Sequence, residues 1–483
     1  MRLRPLRLLP LAALLVLAVP AFASAATPSV TDLATTSNTI WVVITAVLVL
    51  FMQGGFAMLE IGLSRMKNAG AVAAKILINL AIAFLMFWAI GFAIGFGNGS
   101  DFAGAHGWFM NVHNFKDTFS SLAYSDTPLQ AQYFFEVVFC AVSLAIVFGT
   151  MLDRTKFIGY VIFGIVFTGL IYPTVAHWTW GGGWLAKDGY QDFAGSSIVH
   201  LQGALAALAG TLILGPRIGK FRDKKAVPIP GHSIPLAVLG VIILWVGWMG
   251  FNPGSFLNAT ATGTPNFADV AVNTNLAAAA GVVGATLSAL WMFKTLDVSQ
   301  MGNGAIAALV AITAPCAYVD PYAAIIIGLV AELIVPPLVV AIDRIRIDDP
   351  IGALPAHGVA GIWGTLACGL FATGERVTSL GVGQKGLFYG GGGHQIWVQF
   401  YGIMATVGFT LTCSLIVFAA IKYTVGLRVS EADELRGLDI SEHGMFGYPE
   451  RFIDVPGANP EEIPVAPPSG TAPGSTSPVP ATS

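Results

Sequence analysis

Long apolar runs separated by short polar connections extend along most of this chain, and their length predicts how they fold. A bilayer core about 30 Å thick requires roughly 20 apolar residues per helix. By that measure the chain contains eleven candidate spans. They are residues 39–62, 70–97, 130–152, 157–176, 194–215, 233–251, 268–293, 303–319, 321–342, 351–373 and 396–424. The pattern predicts an all-α integral membrane protein embedded in a lipid bilayer.

Composition supports this prediction and excludes several classes of function. Of 483 residues, 55% are hydrophobic and 11% are charged, whereas soluble domains carry about 25% charged residues. The net charge of −3 provides no basic surface for nucleic acid. The sequence has no HExxH or GxSxG motif, phosphate loop or Cys/His cluster. We therefore predict neither an enzyme nor a nucleic-acid partner, and no cofactor or metal site.

Basic residues are unequally distributed between the loops. With an external N-terminus, the loops predicted to be cytoplasmic contain twelve Lys and Arg residues and the outer loops contain four. Cytoplasmic loops of membrane proteins carry such an excess. This predicts a multi-pass protein of the cell inner (cytoplasmic) membrane, with the N-terminus outside and the C-terminus in the cytoplasm.

The two ends of the chain differ from the membrane domain, which we assign to residues 26–424. Residues 1–25 combine arginines, an apolar run and a small-residue ending, which is typical of a signal peptide, with an uncleaved first helix as the alternative. The charged segment 425–455 could dock on the cytoplasmic face. Residues 456–483 are rich in Pro, Ser and Ala, and we expect them to be disordered.

A repeated pattern opens the fifth and tenth spans. Asp192–His200 and Asp349–His357 carry aspartate, glycine and histidine at the same spacing. Because five spans separate the copies, the two helices enter the membrane from opposite faces. This indicates a 5+5 inverted repeat plus a final helix, an arrangement whose substrate site commonly lies at the repeat interface near the midplane.

The spacing places both histidines deep in the membrane. His200 and His357 each lie eight residues beyond their aspartate, or about 12 Å along a helix. Ionisable groups at that depth are usually functional, although one membrane histidine can simply bond a neighbouring helix. For Asp192 and Asp349 we favour capping of a helix N-terminus over substrate contact.

Aromatic residues and glycines accumulate near the predicted outer face, in His177–Trp184 and Trp245–Ser255. Ring faces attract small cations, but interfacial anchoring and close helix packing explain such residues equally well. Glu136, in the third span, either pairs with a polar neighbour or lines a vestibule; the sequence leaves both open.

Five motifs together resemble the ammonium transporter family (Amt/Mep, with the Rh proteins as relatives) over about residues 38–450. They are Phe51–Asn68, Trp180–His200, Trp248–Ser255, His357–Gly361 and Val425–Gly444. The resemblance implies the ammonium transporter fold, with ammonium or ammonia and methylammonium as substrates.

The resemblance also implies roles near the pore entrance. Trp180 and Ser255 would form an external recruitment site for ammonium, with Phe139 as a wall and Asp192 as support. Phe139 and Phe251 would be the paired rings that gate the entrance.

Deeper in the membrane, His200 and His357 would be the twin histidines of the pore, and Trp248 a pore-lining ring. The family implies a homotrimer and a regulatory C-terminal segment, here 425–455, where a PII-type protein docks. Glu136 departs from the glutamine expected of many members.

The implied mechanism follows from the cost of moving a bare cation through an apolar passage. Ammonium would be recruited at the aromatic site and deprotonated, and ammonia would cross past the histidines while the proton moves separately. An electroneutral gas channel of the Rh type is one alternative. The presence of Trp180, as a recruitment residue, argues against it. A sensor or transceptor that signals through a docked PII protein is another.

Overall fold

A computed structural model of the chain describes residues 28–449 except 113, 224, 261 and 262. The predicted signal peptide and the predicted disordered tail lie outside the described residues. Within them, ten helices are long and apolar enough to cross a membrane, and a shorter apolar helix makes eleven. In chain order, spans 1 to 11 are Val30–Leu63, Met66–Phe96, Leu129–Gly149, Phe157–Lys187, Ser196–Leu214, Ile234–Gly254, Phe267–Phe293, Val298–Thr313, Pro321–Arg344, Leu354–Phe371 and His394–Thr424. The predicted fold class is confirmed.

Short elements occupy the connections between the spans. The strands Phe221–Arg222 and Lys225–Ala226 form one antiparallel pair. The short helices are Met66–Asn68, which opens span 2, Trp108–Met110, Phe115–Thr118, Ser120–Leu122, Trp184–Lys187, which ends span 4, Gly374–Leu380, Leu387–Tyr389, Glu431–Arg436 and Leu438–His443.

Several span boundaries differ from the prediction; span 4, for example, extends to Lys187 rather than residue 176, and span 8 begins at Val298 rather than residue 303. Two of the differences have a local cause. Span 1 begins at Val30 rather than residue 39, because Ser29 forms a capping box with Asp32 and starts the helix in a polar stretch. Span 8 ends at Thr313 rather than residue 319. Pro315 follows, and a proline has no backbone N–H with which to continue the hydrogen-bond ladder of the helix.

Glycines let the repeat-related spans approach closely. A Cβ on Gly240 of span 6 would lie 2.3 Å from the backbone nitrogen of Leu59 in span 1. A Cβ on Gly361 of span 10 would lie 2.6 Å from the carbonyl oxygen of Ser196 in span 5. Spans 1 and 6, and spans 5 and 10, therefore pack as pairs, as the inverted repeat requires.

The outer surface of the helix bundle is apolar. Large hydrophobic side chains such as Leu77, Trp291, Leu333 and Ile416 are exposed. A soluble protein rarely exposes so much contiguous apolar surface. This surface suits a lipid environment, and the chain is a multi-pass membrane protein.

The described part of the C-terminal segment packs against loops at the end where most basic residues lie. The backbone nitrogen of Lys156 donates to the Leu427 carbonyl at 2.9 Å. The Leu438 backbone nitrogen donates to Asn68 Oδ1 at 2.8 Å, and the Asp439 carboxylate accepts from the Ala71 nitrogen at 2.8 Å. The segment thus connects the start of span 2 with the residue that precedes span 4.

A buried ion-pair cluster stabilises the same end of the bundle. Arg217 contacts Asp348 at 2.9 Å and Asp153 at 3.4 Å, and Arg65 contacts Asp153 at 2.9 Å. Burial alone would raise the pKa of Asp348, but the hydrogen bond and charge of Arg217, with the charge of Arg154, hold that pKa below its ordinary value.

Candidate functional site

Spans 5 and 10 do not begin as regular α-helices. Each opens with a π-helical turn, Ser196–Leu201 and Leu354–Val359, and each turn carries the predicted histidine. The residue that precedes span 5, Gly195, has a φ of +110°, and Gly352 has a φ of +73°. Only glycine adopts such backbone readily. The shared glycine of the repeat therefore sets the angle at which each span enters.

Asp192 binds the free backbone groups at the start of span 5. Its Oδ1 accepts from the nitrogens of Gly195 at 2.8 Å and Ser196 at 2.9 Å. Its Oδ2 accepts from the nitrogens of Ser197 at 2.8 Å and Ile198 at 3.1 Å, and from the Ser197 hydroxyl at 2.5 Å. Both oxygens are fully used by the helix terminus.

Asp349 performs the same function for span 10 with fewer bonds. Its Oδ1 accepts from the nitrogens of Ile351 at 3.3 Å and Ala353 at 3.1 Å, and its Oδ2 from the Leu354 nitrogen at 2.8 Å. The structure therefore gives both aspartates the capping geometry favoured from the sequence.

The two histidines meet inside the protein. His200 Nδ1 lies 3.2 Å from His357 Nδ1, and the ring centroids are 5.3 Å apart. Both rings are buried. A hydrogen bond between two Nδ1 atoms requires one ring to donate and the other to accept. Among the described residues, Nε2 of His200 has no hydrogen-bond partner.

Aromatic rings continue outward from the histidine pair. Trp248 stacks against His200 with centroids 5.3 Å apart, and its Nε1 donates to Thr313 Oγ1 at 3.0 Å. Phe251 lies 5.4 Å from His200 and stacks on Phe139 with centroids 4.0 Å apart. The phenylalanine pair therefore lies between the histidines and a cavity that Phe139 lines.

A cavity of about 500 Å³ lies beyond the phenylalanine pair, and Phe139, Trp180, Asp192 and Ser255 all line it. The Trp180 ring stands edge-on to Phe139 with centroids 6.2 Å apart, and its Nε1 donates to the Asp192 carbonyl at 2.9 Å. The Ser255 hydroxyl donates to the Phe251 carbonyl at 2.8 Å. The structure brings every predicted site residue into one connected arrangement.

Sequence reasoning missed several residues of this arrangement. Thr313, which accepts from Trp248, stands alone at the end of span 8 and carried no signal. Tyr190 donates to the Ser197 hydroxyl at 2.8 Å and so supports the capped terminus. Thr179 lines the cavity beside Trp180; its place in the aromatic cluster was the only available signal.

Comparison with known proteins identifies consistent similarities. The model of the Ammonium Transporter Family matches residues 40–448. The chain is 40% identical over 425 residues to Ammonium transporter Amt2 of Archaeoglobus fulgidus, covering 85% of this chain and 88% of that protein. It is 38% identical over 425 residues to Putative ammonium transporter sll1017 of Synechocystis sp., covering 86% and 90%.

Solved structures give the same result. A structure described as Sensor Amt Protein aligns with a TM-score of 0.76 and 31% identity, covering 86% of this chain and 100% of that one. Mep2 of Candida albicans aligns with a TM-score of 0.75 and 29% identity, covering 82% and 87%.

Proposed function

Because this chain belongs to the ammonium transporter family, we propose that it takes up ammonium selectively across the cytoplasmic membrane. In this proposal Trp180 and Ser255 recruit NH4+ in the outer cavity, with Phe139 and Asp192 as wall and support. The stacked rings of Phe139 and Phe251 gate the passage. Ammonia then crosses past His200 and His357, while the proton moves separately.

The observation that carries this proposal is the 3.2 Å contact between His200 Nδ1 and His357 Nδ1 beneath the phenylalanine gate. Ammonium resembles potassium in charge and size, so charge alone cannot separate the two ions. Ammonium differs because it can lose a proton. A dehydrated cation costs many kcal/mol in an apolar passage, whereas neutral ammonia does not carry that cost.

The tautomers of the pair suit a proton relay. If the Nδ1 of His200 donates to His357, then Nε2 of His200 has a free lone pair. That atom has no partner among the described residues, and Phe251 lies beside the ring. A proton accepted at Nε2 of His200 can be matched by release of the shared Nδ1 proton toward His357.

The proposal extends to placement and partners. We propose that the N-terminus lies outside and the C-terminus in the cytoplasm, on the distribution of basic residues. We further propose a homotrimer with one pore per subunit, methylammonium as a second substrate, and a PII-type protein that binds the cytoplasmic face near residues 425–455. The proposals on the homotrimer, methylammonium and the PII-type protein are supported by the family to which the chain belongs.

Electrical recording in proteoliposomes tests the relay. We expect the variant that carries His200→Leu and His357→Leu to lose at least nine-tenths of the ammonium-evoked current. His394→Leu, at the exposed start of span 11, is the matched control and should keep it. An unaltered ammonium current together with unaltered rejection of potassium in the double variant would eliminate the relay. A wild type that moves ammonia without current would instead indicate the electroneutral channel.

A further inference from the structure

The outer cavity contains a carboxylate that none of the roles above uses. Glu136 lies in span 3, one helical turn before Phe139, and lines the cavity. Its side chain is only 7% exposed. Among the described residues its carboxylate has neither a hydrogen-bond donor nor an ion-pair partner. Burying a carboxylate without a partner costs free energy. Because Glu136 lies at the wall of a cavity, a bound ligand could supply the missing partner.

No cationic side chain of the described cavity lining faces Glu136. Among the described residues that line the cavity there is no lysine, arginine or histidine. The other lining carboxylate, Asp192, is already satisfied by four backbone nitrogens and one hydroxyl. Glu136 is therefore the lining carboxylate with acceptor capacity free for a ligand.

The remaining polar groups of the cavity are also suited to a cation. Thr179 Oγ1 is buried without a partner among the described residues. The Ser255 hydroxyl uses its proton on the Phe251 carbonyl, so its lone pairs remain available as acceptors. The rings of Trp180 and Phe139 add their negative faces. Acceptor atoms and ring faces together form an environment for a small positive ion.

We propose that Glu136 makes the outer cavity a binding site for small monovalent cations in general, which concentrates ammonium above the phenylalanine gate but does not select it. A cation in the cavity favours the ionised form of Glu136. That carboxylate attracts ammonium, methylammonium and potassium alike, because all carry one positive charge. Selection is then left to the passage below. Potassium should consequently compete with ammonium for entry although it is not itself transported. This inference rests on the proposed function.

Replacing Glu136 with glutamine tests the proposal. One unit charge about 6 Å away, at an effective dielectric of about 20 to 80, changes cation occupancy by about threefold to a hundredfold. We therefore expect Glu136→Gln to raise the ammonium concentration that gives half-maximal current by a factor in that range. The maximal current should stay within about twofold, because the gate and the histidines are unchanged.

Potassium competition provides the signature that a structural role would not give. At constant ionic strength, replacing choline with potassium should raise the half-maximal ammonium concentration of the wild type and leave that of Glu136→Gln nearly unchanged. Glu136→Asp retains the charge and should retain the competition. The control is Asp126→Asn, which removes an exposed carboxylate in the connection before span 3 that does not line the cavity; it should behave as the wild type.

Direct binding separates this proposal from the proposed function. Purified protein is titrated with ammonium chloride or potassium chloride, and tryptophan fluorescence is followed, since Trp180 lies in the cavity. Saturable binding that Glu136→Gln weakens supports the inference even if the wild type carries no current. Equal binding by wild type and Glu136→Gln overturns it. If Glu136→Gln does not fold, a wild type whose ammonium response is insensitive to potassium overturns it equally.

Discussion

Replacing Asp192 with asparagine should destabilise the protein far more than the equivalent change at Asp349. In asparagine one carboxylate oxygen becomes an NH2 group, which cannot accept a hydrogen bond. Each oxygen of Asp192 accepts from two backbone nitrogens. Whichever way the amide points, two buried N–H groups at the start of span 5 lose their acceptor.

The hydrogen-bond geometry sets the magnitude. A buried donor left without an acceptor costs about 1–3 kcal/mol, so two of them in Asp192→Asn should lower the free energy of unfolding by about 3–5 kcal/mol. Asp349 Oδ2 accepts from one nitrogen only, and its other two bonds are longer, at 3.1 and 3.3 Å. Its amide can therefore orient so that one N–H loses its acceptor, at a cost of about 1–2 kcal/mol.

Thermal unfolding of purified protein in detergent measures this difference. The midpoint of Asp192→Asn should fall at least twice as far below the wild-type midpoint as that of Asp349→Asn. Wild type measured in the same detergent is the reference. Equal midpoints for the two variants, or an unchanged midpoint for Asp192→Asn, would refute the reasoning that the capped terminus depends on these bonds.

Three other positions give independent predictions. Trp248→Phe removes the indole N–H that donates to Thr313 and should lower the free energy of unfolding by about 1–2 kcal/mol. A double-mutant cycle with Thr313→Val should give a coupling energy of about 1 kcal/mol. Strictly additive effects of the two substitutions would contradict this hydrogen bond. Arg217→Gln should cost about 2–4 kcal/mol at neutral pH because the buried Asp348 loses two charged hydrogen bonds and keeps only Arg154, at 3.8 Å, as an ion-pair partner. Since the folded pKa of Asp348 is depressed, its stabilising contribution exists above about pH 4 and is lost as pH falls further, so the two unfolding midpoints should converge in acid. Glu332→Met should leave the thermal midpoint unchanged or raise it, because both buried carboxylate oxygens lack partners among the described residues; a fall of more than about 1 kcal/mol would contradict this.

Two of these positions also show where local sequence patterns carry no information. Trp248 was identified from its motif, yet its partner Thr313 lies 65 positions away at the end of another span. Nothing in either segment specifies that contact. Glu332 has no motif at all, and only the packing of span 9 reveals that its carboxylate is buried with no partner in the part of the chain that the structure describes.

Patterns along the chain were enough to predict the class of fold, the number of spans and the pairing of the two histidine segments. Each of these depends on a local or periodic property: the length of apolar runs, and one aspartate, glycine and histidine spacing that occurs twice. Such properties are set by the cost of exposing backbone and polar groups to lipid, which acts on each segment separately. The family resemblance then named the residues around the pore.

How those residues meet depends on the packing of the spans against one another. The opposed Nδ1 atoms of His200 and His357 and the stacked rings of Phe139 and Phe251 each combine side chains from two different spans. The position of Glu136 was open for the same reason. Whether a carboxylate pairs or faces a cavity depends on which groups other segments bring beside it, and that is fixed by packing rather than by its own sequence neighbours.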